Sequence, residues 1–397
     1  MNLLFFSLLA IFPFGQLGRF QLTSTIAIHL IDLFAFLLAF FWLILVFRTK
    51  KIAKSALDIP LVSFTFAAVF SFLIGSLAVG GSQLLEALFY LIRWGSYAAL
   101  FLVVIDFTRK NKKFFTQLPD ALLVIGASTA IFGIVQYFWF PDVRLMSGNG
   151  WDPHYYRLVG TFLDPGFTGI ILVFFTLLVF SRKWGGVGRW LGMLLFFLGV
   201  VTVALTFSRA SYLALVVGML SLYIVRRNFL KTAGALFFFF ILVSLIPKPG
   251  GEGVNLARTS TVVKRLSNYE EAVKTAKTHP LFGVGFNFYR YKRVGASLIA
   301  KQQVPNHSGG GADSSLLFVL ATTGVVGLIA FMGLWWKLLS IGWVENQTVS
   351  GLALFASTVS LFAHSLFDNS LFYPWVLVWI AILAGVCCGR SKGYIKL

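Results

Sequence analysis

Apolar runs of about twenty residues recur from one end of this chain to the other, and they leave little choice of fold. A run of that length spans a hydrocarbon core of ~30 Å as an α-helix. Helix is required because backbone N–H and C=O groups in lipid have no water to bond. Hydrophobic residues make up 58% of the chain and the mean hydropathy is +0.84, well above a soluble domain. The reading is an all-α polytopic membrane protein with about twelve transmembrane helices, at 2–14, 25–47, 60–79, 85–105, 119–140, 161–181, 189–207, 210–226, 232–247, 314–339, 349–368 and 372–389.

The net charge of +19 does not point to nucleic acid, because much of it sits in short connections between spans. Arg48, Lys50, Lys51 and Lys54 share one connection, and Arg109, Lys110, Lys112 and Lys113 the next but one. Arg182, Lys183 and Arg189 follow, then Arg226, Arg227 and Lys231, and finally Arg390, Lys392 and Lys396 in the tail. These clusters occupy alternate loops, which places them together on the cytoplasmic side. Both termini are then expected in the cytoplasm. The first twenty residues lack a basic start and a small-residue cleavage site, so they read as a retained first span. Cys387 and Cys388 are adjacent in the last span and read as inert residues of an apolar helix.

One hydrophilic stretch of about sixty-five residues interrupts the pattern. The expected organisation is helices 1–9 over residues 1–247, an extracytoplasmic loop over 248–313, and helices 10–12 with a cytoplasmic tail over 314–397. The loop carries ten basic residues that include Arg258, Lys264, Arg265 and Arg290, against only Glu252, Glu270, Glu271 and Asp313. A basic surplus at a membrane surface suits an anionic ligand, with phosphate the first candidate. From Thr261 the residues Val262, Leu266, Tyr269, Val273 and Ala276 recur at helical spacing, which predicts an amphipathic helix ending before Pro280. An aromatic, glycine-bearing turn follows at Leu281–Asn287, and Gly309–Gly311 offers a hinge before the tenth span.

Six residues are candidates for a site. Arg209 lies between the seventh and eighth spans; beside the snorkelling role common at helix ends stands that of a guanidinium fork for phosphate. Arg157 stands just before the sixth span without an evident structural task, whereas Asp164 followed by Pro165 reads as an N-cap and first helical residue. Arg265, on the loop helix, reads by periodicity alone as part of a solvated charged face. Asp313 opens the tenth span, where it reads as an N-cap or as an acceptor-side group, and His307 is a second group able to move a proton. Arg93 lies inside the fourth span and must face the bundle interior, toward substrate or toward a carboxylate such as Asp32 or Glu86. There is no Walker loop, no HExxH and no acidic cluster in the sequence suited to a divalent metal, so no cofactor is expected.

Taken in order, these segments resemble the O-antigen ligase and polymerase superfamily of bacterial membrane glycosyltransferases. The matching pieces are Arg157–Phe162 with Pro165, then Ser208-Arg209, Arg265, and Thr278–Gly285. Asp313-Ser314-Ser315-Leu316 and Gly324–Gly327 complete the set, so the resemblance runs from about residue 90 to the end. It implies transfer of a glycan from a polyprenyl-pyrophosphate carrier to an acceptor hydroxyl on the outer face, with inversion and without a metal. The partners implied are the lipid-linked glycan donor, a glycan or lipid-glycan acceptor and membrane lipids, with no nucleic acid. Carried over by position, Arg209 and Arg265 hold the pyrophosphate, Arg157 assists, and Asp313 stands where ligases of the superfamily typically have histidine. That departure tilts the expectation toward a polymerase, or toward a ligase with an acceptor other than lipid A. The competing reading, a flippase or transporter of lipid-linked glycan, sits poorly with a single asymmetric loop and no internal repeat.

Overall fold

The computed structural model describes residues 1–22, 26–50, 54–111, 113–149, 152–292 and 311–390. Twelve apolar helices lie where the sequence places spans: α1 (Asn2–Ile11), α2 (Leu30–Thr49), α3 (Asp58–Ser76), α4 (Ser82–Lys110), α5 (Phe114–Trp139), α6 (Pro165–Ser181), α7 (Gly188–Leu205), α8 (Arg209–Arg226) and α9 (Phe229–Leu245), then, beyond the polar stretch, α11 (Ser315–Val344), α12 (Val349–Ser365) and α13 (Pro374–Arg390). Seven of them, α2–α5, α7, α8 and α11, are long and apolar enough to cross a membrane. The other five are shorter apolar helices. This is an all-α, multi-pass membrane protein.

The second expected span starts later than its hydropathy suggests. Residues Ala27–His29 form strand β2, paired antiparallel with β1 (Arg19–Gln21) in the register Arg19 to His29. The chain between α1 and β1 is a 3-10 stretch, Phe12–Gly18, with Pro13 in its first turn.

Two short helices form the middle of the bundle. Every residue of α6 except Phe167 is buried, as is nearly all of α13. A helix apolar on all sides belongs in a core, and with no lipid face its ~26 Å need not match the bilayer. Phe372 gathers the rings of Phe64, Trp94, Phe318 and Phe331 around the start of α13.

The predicted loop helix exists as α10 (Ser260–Thr278), but only Tyr269 and Ala276 of the predicted stripe engage the bundle. Its buried positions are Asn268, Ala272, Thr275 and Ala276. Val262, Leu266 and Val273 point outward, at 52, 58 and 37% exposed. Small residues allow close approach: Asn268 Nδ2 donates to the Gly311 carbonyl, Asn268 Oδ1 accepts from the Asp313 amide at 2.8 Å, and Tyr269 Oη donates to the Leu366 carbonyl at 2.7 Å. These bonds tie α10 over the start of α11 and the end of α12.

Helix α11 is broken at Gly324, whose φ of 66° and ψ of −167° lie outside helical geometry. The turn Pro280–Gly285 fills the break. Val284 and Gly285 donate to the carbonyls of Ala321 and Thr322, while the amides of Val325 and Val326 donate to Pro280 and Leu281. Non-helical backbone at membrane depth is tolerated only where protein satisfies it, and here the inserted turn does so. A β-carbon on Gly324 would overlap the Leu281 carbonyl, and one on Gly283 would overlap that of Thr322.

Candidate functional site

The short connection from α7 to α8, Thr206–Ser208, ends a helix and starts another within three residues. Phe207 takes a left-handed conformation there, with φ of 48°. Carbonyls at a helix end lack intrahelical partners. Arg157 supplies them: its Nε donates to Thr206 O at 3.0 Å and its Nη2 to Phe207 O at 3.1 Å. The side chain is 8% exposed, and burial, with Arg258 beside it, lowers its pKa to about 10. The structural task that the sequence does not reveal for Arg157 is this one. It holds the turn that presents Arg209.

Arg209 is likewise engaged. Its Nη1 donates to the carbonyls of Leu256 (3.4 Å) and Arg258 (3.0 Å), and its Nη2 to Thr261 Oγ1 at 2.6 Å. The fork expected for a ligand therefore grips the chain entering α10. Arg258 folds back on its own loop, donating from Nη1 to the carbonyls of Gly253 and Asn255 at 2.9 Å each. Burial and the neighbouring Arg209 and Arg265 lower the Arg258 pKa, as expected where guanidinium groups crowd together.

Arg265 differs from these three. Its half-buried guanidinium makes no hydrogen bond among the described residues. It lies one turn before Asn268 and Tyr269, within electrostatic reach of Arg258, Asp164 and Asp368. The sequence reading of a solvated face is thus incomplete, since Arg265 looks toward the bundle and its carboxylates.

Asp164 is the N-cap of α6 as predicted, its Oδ1 accepting from the amides of Gly166 (2.7 Å) and Phe167 (2.8 Å). Burial raises its pKa against the pull of those amides and of Arg157 and Arg265. Asp368, in the turn between α12 and α13, shares the space. A β-carbon on Gly166 would overlap Asp368 Oδ2 and lie 3.1 Å from Asp164 Oδ1. Burial, then the Asp164 and Asp313 carboxylates, push the Asp368 pKa up to about 7, with Arg265 opposing. Two carboxyl groups this close resist ionising together, so Asp368 is set to exchange a proton near neutrality.

Asp313 faces the same group, acting electrostatically on Asp368 and Tyr269. The N-cap of α11 is Ser314 and not Asp313, because Asp313 lies one residue outside the helix with its amide held by Asn268. Ser315 Oγ donates to the Asp368 carbonyl at 3.1 Å and accepts from the Leu371 amide. The Asp313-Ser-Ser segment therefore positions the Asp368 turn. Beneath it, Ser211 Oγ lies 2.9 Å from Ser208 Oγ and 3.3 Å from His364 Nε2, and His364 Nδ1 lies 3.0 Å from Ser370 Oγ. This buried chain links α8, α12 and the turn.

Two candidates fall elsewhere. Arg93 donates through Nε to Asp32 Oδ1 and pairs through Nη2 with Asp32 Oδ2, both at 2.7 Å. Tyr97 Oη donates to the same carboxylate, and His29 Nδ1 lies 3.0 Å from it. Glu86, the other carboxylate weighed for Arg93, accepts from Tyr291 Oη. Arg93 thus joins α4 to α2 through Asp32, one of the two carboxylates weighed as its partner. His307 lies outside the described residues. Among those described, no group of three or more His, Cys, Asp or Glu is placed to hold a metal ion.

The sequence did not signal Asp368, an isolated acid between two apolar helices, nor Arg258, one of many loop cations. The only cue for Asp368 was the polar Asp368-Asn369-Ser370 turn itself.

Fold and site together define a multi-pass membrane protein with arginines and carboxyl groups converging where a polar loop caps the helices. Residues 194–332 match the family model described as O-Antigen ligase, which supports the O-antigen ligase and polymerase superfamily that the ordered motifs resemble. The matched stretch runs from α7 through Arg209, α10 and Asp313 to beyond Gly327, and leaves Arg157, Asp164 and Asp368 outside it. No curated protein matches the chain.

Proposed function

We propose that this protein is a membrane glycosyltransferase of the O-antigen ligase or polymerase type, moving a glycan from a polyprenyl-pyrophosphate carrier to an acceptor hydroxyl. The observation that carries the reading is Arg265, an arginine without a hydrogen-bond partner among the described residues, beside Arg258 and opposite Asp164 and Asp368. A preplaced guanidinium of this kind suits a leaving group whose negative charge grows as the glycosidic bond breaks.

In the proposed reaction the acceptor oxygen attacks the anomeric carbon as its bond to the pyrophosphate oxygen breaks. The pyrophosphate oxygen leaves with the bonding electrons, its added negative charge met by Arg265, and the configuration at carbon inverts. The acceptor proton passes to Asp368, whose raised pKa makes it a better base than an ordinary carboxylate. Asp313 orients the acceptor beside Asp368. Arg209 and Arg157 are positioning residues, one for the entry to α10 and the other for the Phe207 turn. No metal takes part in this scheme.

The alternating basic connections support an orientation with this end of the bundle outside the cytoplasmic membrane of a bacterium, residues 248–313 as its loop and both termini inside. Reconstitution in vesicles with a polyprenyl-pyrophosphate oligosaccharide and candidate acceptors tests the reading. Release of polyprenyl pyrophosphate coupled to a lengthened acceptor supports it. Movement of intact lipid-linked glycan across the bilayer without transfer would establish a flippase in its place.

A further inference from the structure

The opposite ends of the same helices enclose a second feature, a cavity of about 810 Å³ among α6, α7, α8 and α9. Helix α8 carries Arg209 at one end and Arg226 at the other, so about 26 Å separates this cavity from the candidate site. Its mouth is basic, with Arg182, Lys183, Arg189, Arg226 and Lys231, and no acidic residue lines it. Its inner wall is apolar, formed by Met193, Phe196, Phe197 and Phe238.

Three of the five cations are placed by specific contacts. Arg226 Nη2 donates to the Ser181 carbonyl at 2.6 Å, which caps the end of α6. Lys231 Nζ lies 4.4 Å from the centre of the Phe180 ring, and Arg182 lies 5.0 Å from that of Trp184. Arg182 is also paired with Asp120, which leaves the other four basic side chains without an ion-pair partner among the described residues. Lys183, Arg189 and Lys231 are exposed. A mouth of cations above an aromatic cleft, where four apolar helices end, has the chemistry of a lipid headgroup site: phosphate at the rim, hydrocarbon within.

We infer that this cavity binds an anionic glycerophospholipid, its phosphate among Lys183, Arg189, Arg226 and Lys231 and an acyl chain against Phe196, Phe197 and Phe238. The zwitterionic lipids of the same bilayer offer equal hydrocarbon but no net negative charge, so the site selects by headgroup. The inference does not depend on the reaction at the other end.

Native mass spectrometry of the purified full chain, given equimolar phosphatidylglycerol and phosphatidylcholine, tests it. About tenfold more phosphatidylglycerol than phosphatidylcholine should remain bound. Lys183→Glu, Arg189→Glu and Lys231→Glu together replace only exposed side chains and should abolish that preference. Gly234→Trp is the uncharged counterpart: a β-carbon there meets no atom within 4 Å, so the ring can enter the cavity and displace both lipids. Equal retention of the two lipids by the wild type would overturn the inference, as would an unchanged preference in both variants. Loss of bound phosphatidylglycerol on adding millimolar inorganic phosphate would reduce the site to one for free phosphate, and also overturn it.

Discussion

Ser315 Oγ donates to the Asp368 carbonyl at 3.1 Å, so the first residue of one helix fixes the turn that bears a carboxyl group made less acidic by burial and by Asp164. Sequence separates the two by 53 positions. The position of a base is thus set from the loop end of α11, where α10 also docks through Asn268.

Replacing Asp368 with asparagine should lower turnover by about 10²–10⁴. The wild-type rate should rise with pH through about 7, as Asp368 loses its proton, and this limb should vanish in the variant. Stability should move the other way. A carboxyl group whose pKa is raised by folding stabilises the fold below its unfolded value near 4, and the benefit is lost as pH rises through 7. Melting curves of Asp368→Asn should therefore lose the wild type's decline between about pH 4 and 7. An identical decline in both proteins would remove Asp368 as its cause.

Arg265 and Arg209 should separate by phenotype. Arg265→Ala removes no hydrogen bond among the described residues, so it should fold normally and lose about 10²–10³ in turnover, with partial rescue by lysine. Arg209→Ala removes donors to Leu256, Arg258 and Thr261, and should also lower stability by about 1–3 kcal/mol. Normal turnover in a folded Arg265→Ala protein would refute the phosphate role.

Asp313→Asn should preserve the fold, because Ser314 and not Asp313 occupies the N-cap and the bond from the Asp313 amide to Asn268 survives. Transfer should fall while donor binding persists, the mark of an acceptor-side group. His307→Ala should change little. A dead His307→Ala protein beside an active Asp313→Asn one would reassign that role to His307.

Gly324→Ala should destabilise by at least about 1–3 kcal/mol, since the backbone is left-handed and the new methyl meets the Leu281 carbonyl. Thermal unfolding in detergent measures it. A neutral result would mean that the turn and the break do not interlock.

Sidedness is testable without removing native thiols, because Cys387 and Cys388 are buried. A cysteine at Gly251 should react with an impermeant thiol reagent in intact cells, and one at Lys54 should not. The reverse pattern would place the site in the cytoplasm.

Hydropathy located the apolar helices because lipid and core both demand apolar side chains. The Asp164–Pro165 cap and the extent of α10 were legible for a related reason, as each depends on neighbours in sequence. Which face of α10 packs was not. Ala272 and Thr275 win over Val262 and Leu266 because close approach to α11 needs small residues, and periodicity registers only that a stripe exists. The tasks of Arg157 and Arg93 depend on partners 49 and 61 positions away, and those of Asp368 on Asp164 and Ser315. Spacing along the chain carries no trace of such meetings.

The break in α11 also orders the making of the protein. Pro280–Gly285 leaves the ribosome some forty residues ahead of Ala321–Val326, so its amides must wait for carbonyls not yet synthesised. A truncated chain ending before Ala321 would strand that turn with unmet donors and acceptors, a ready signal for quality control to recognise an unfinished molecule.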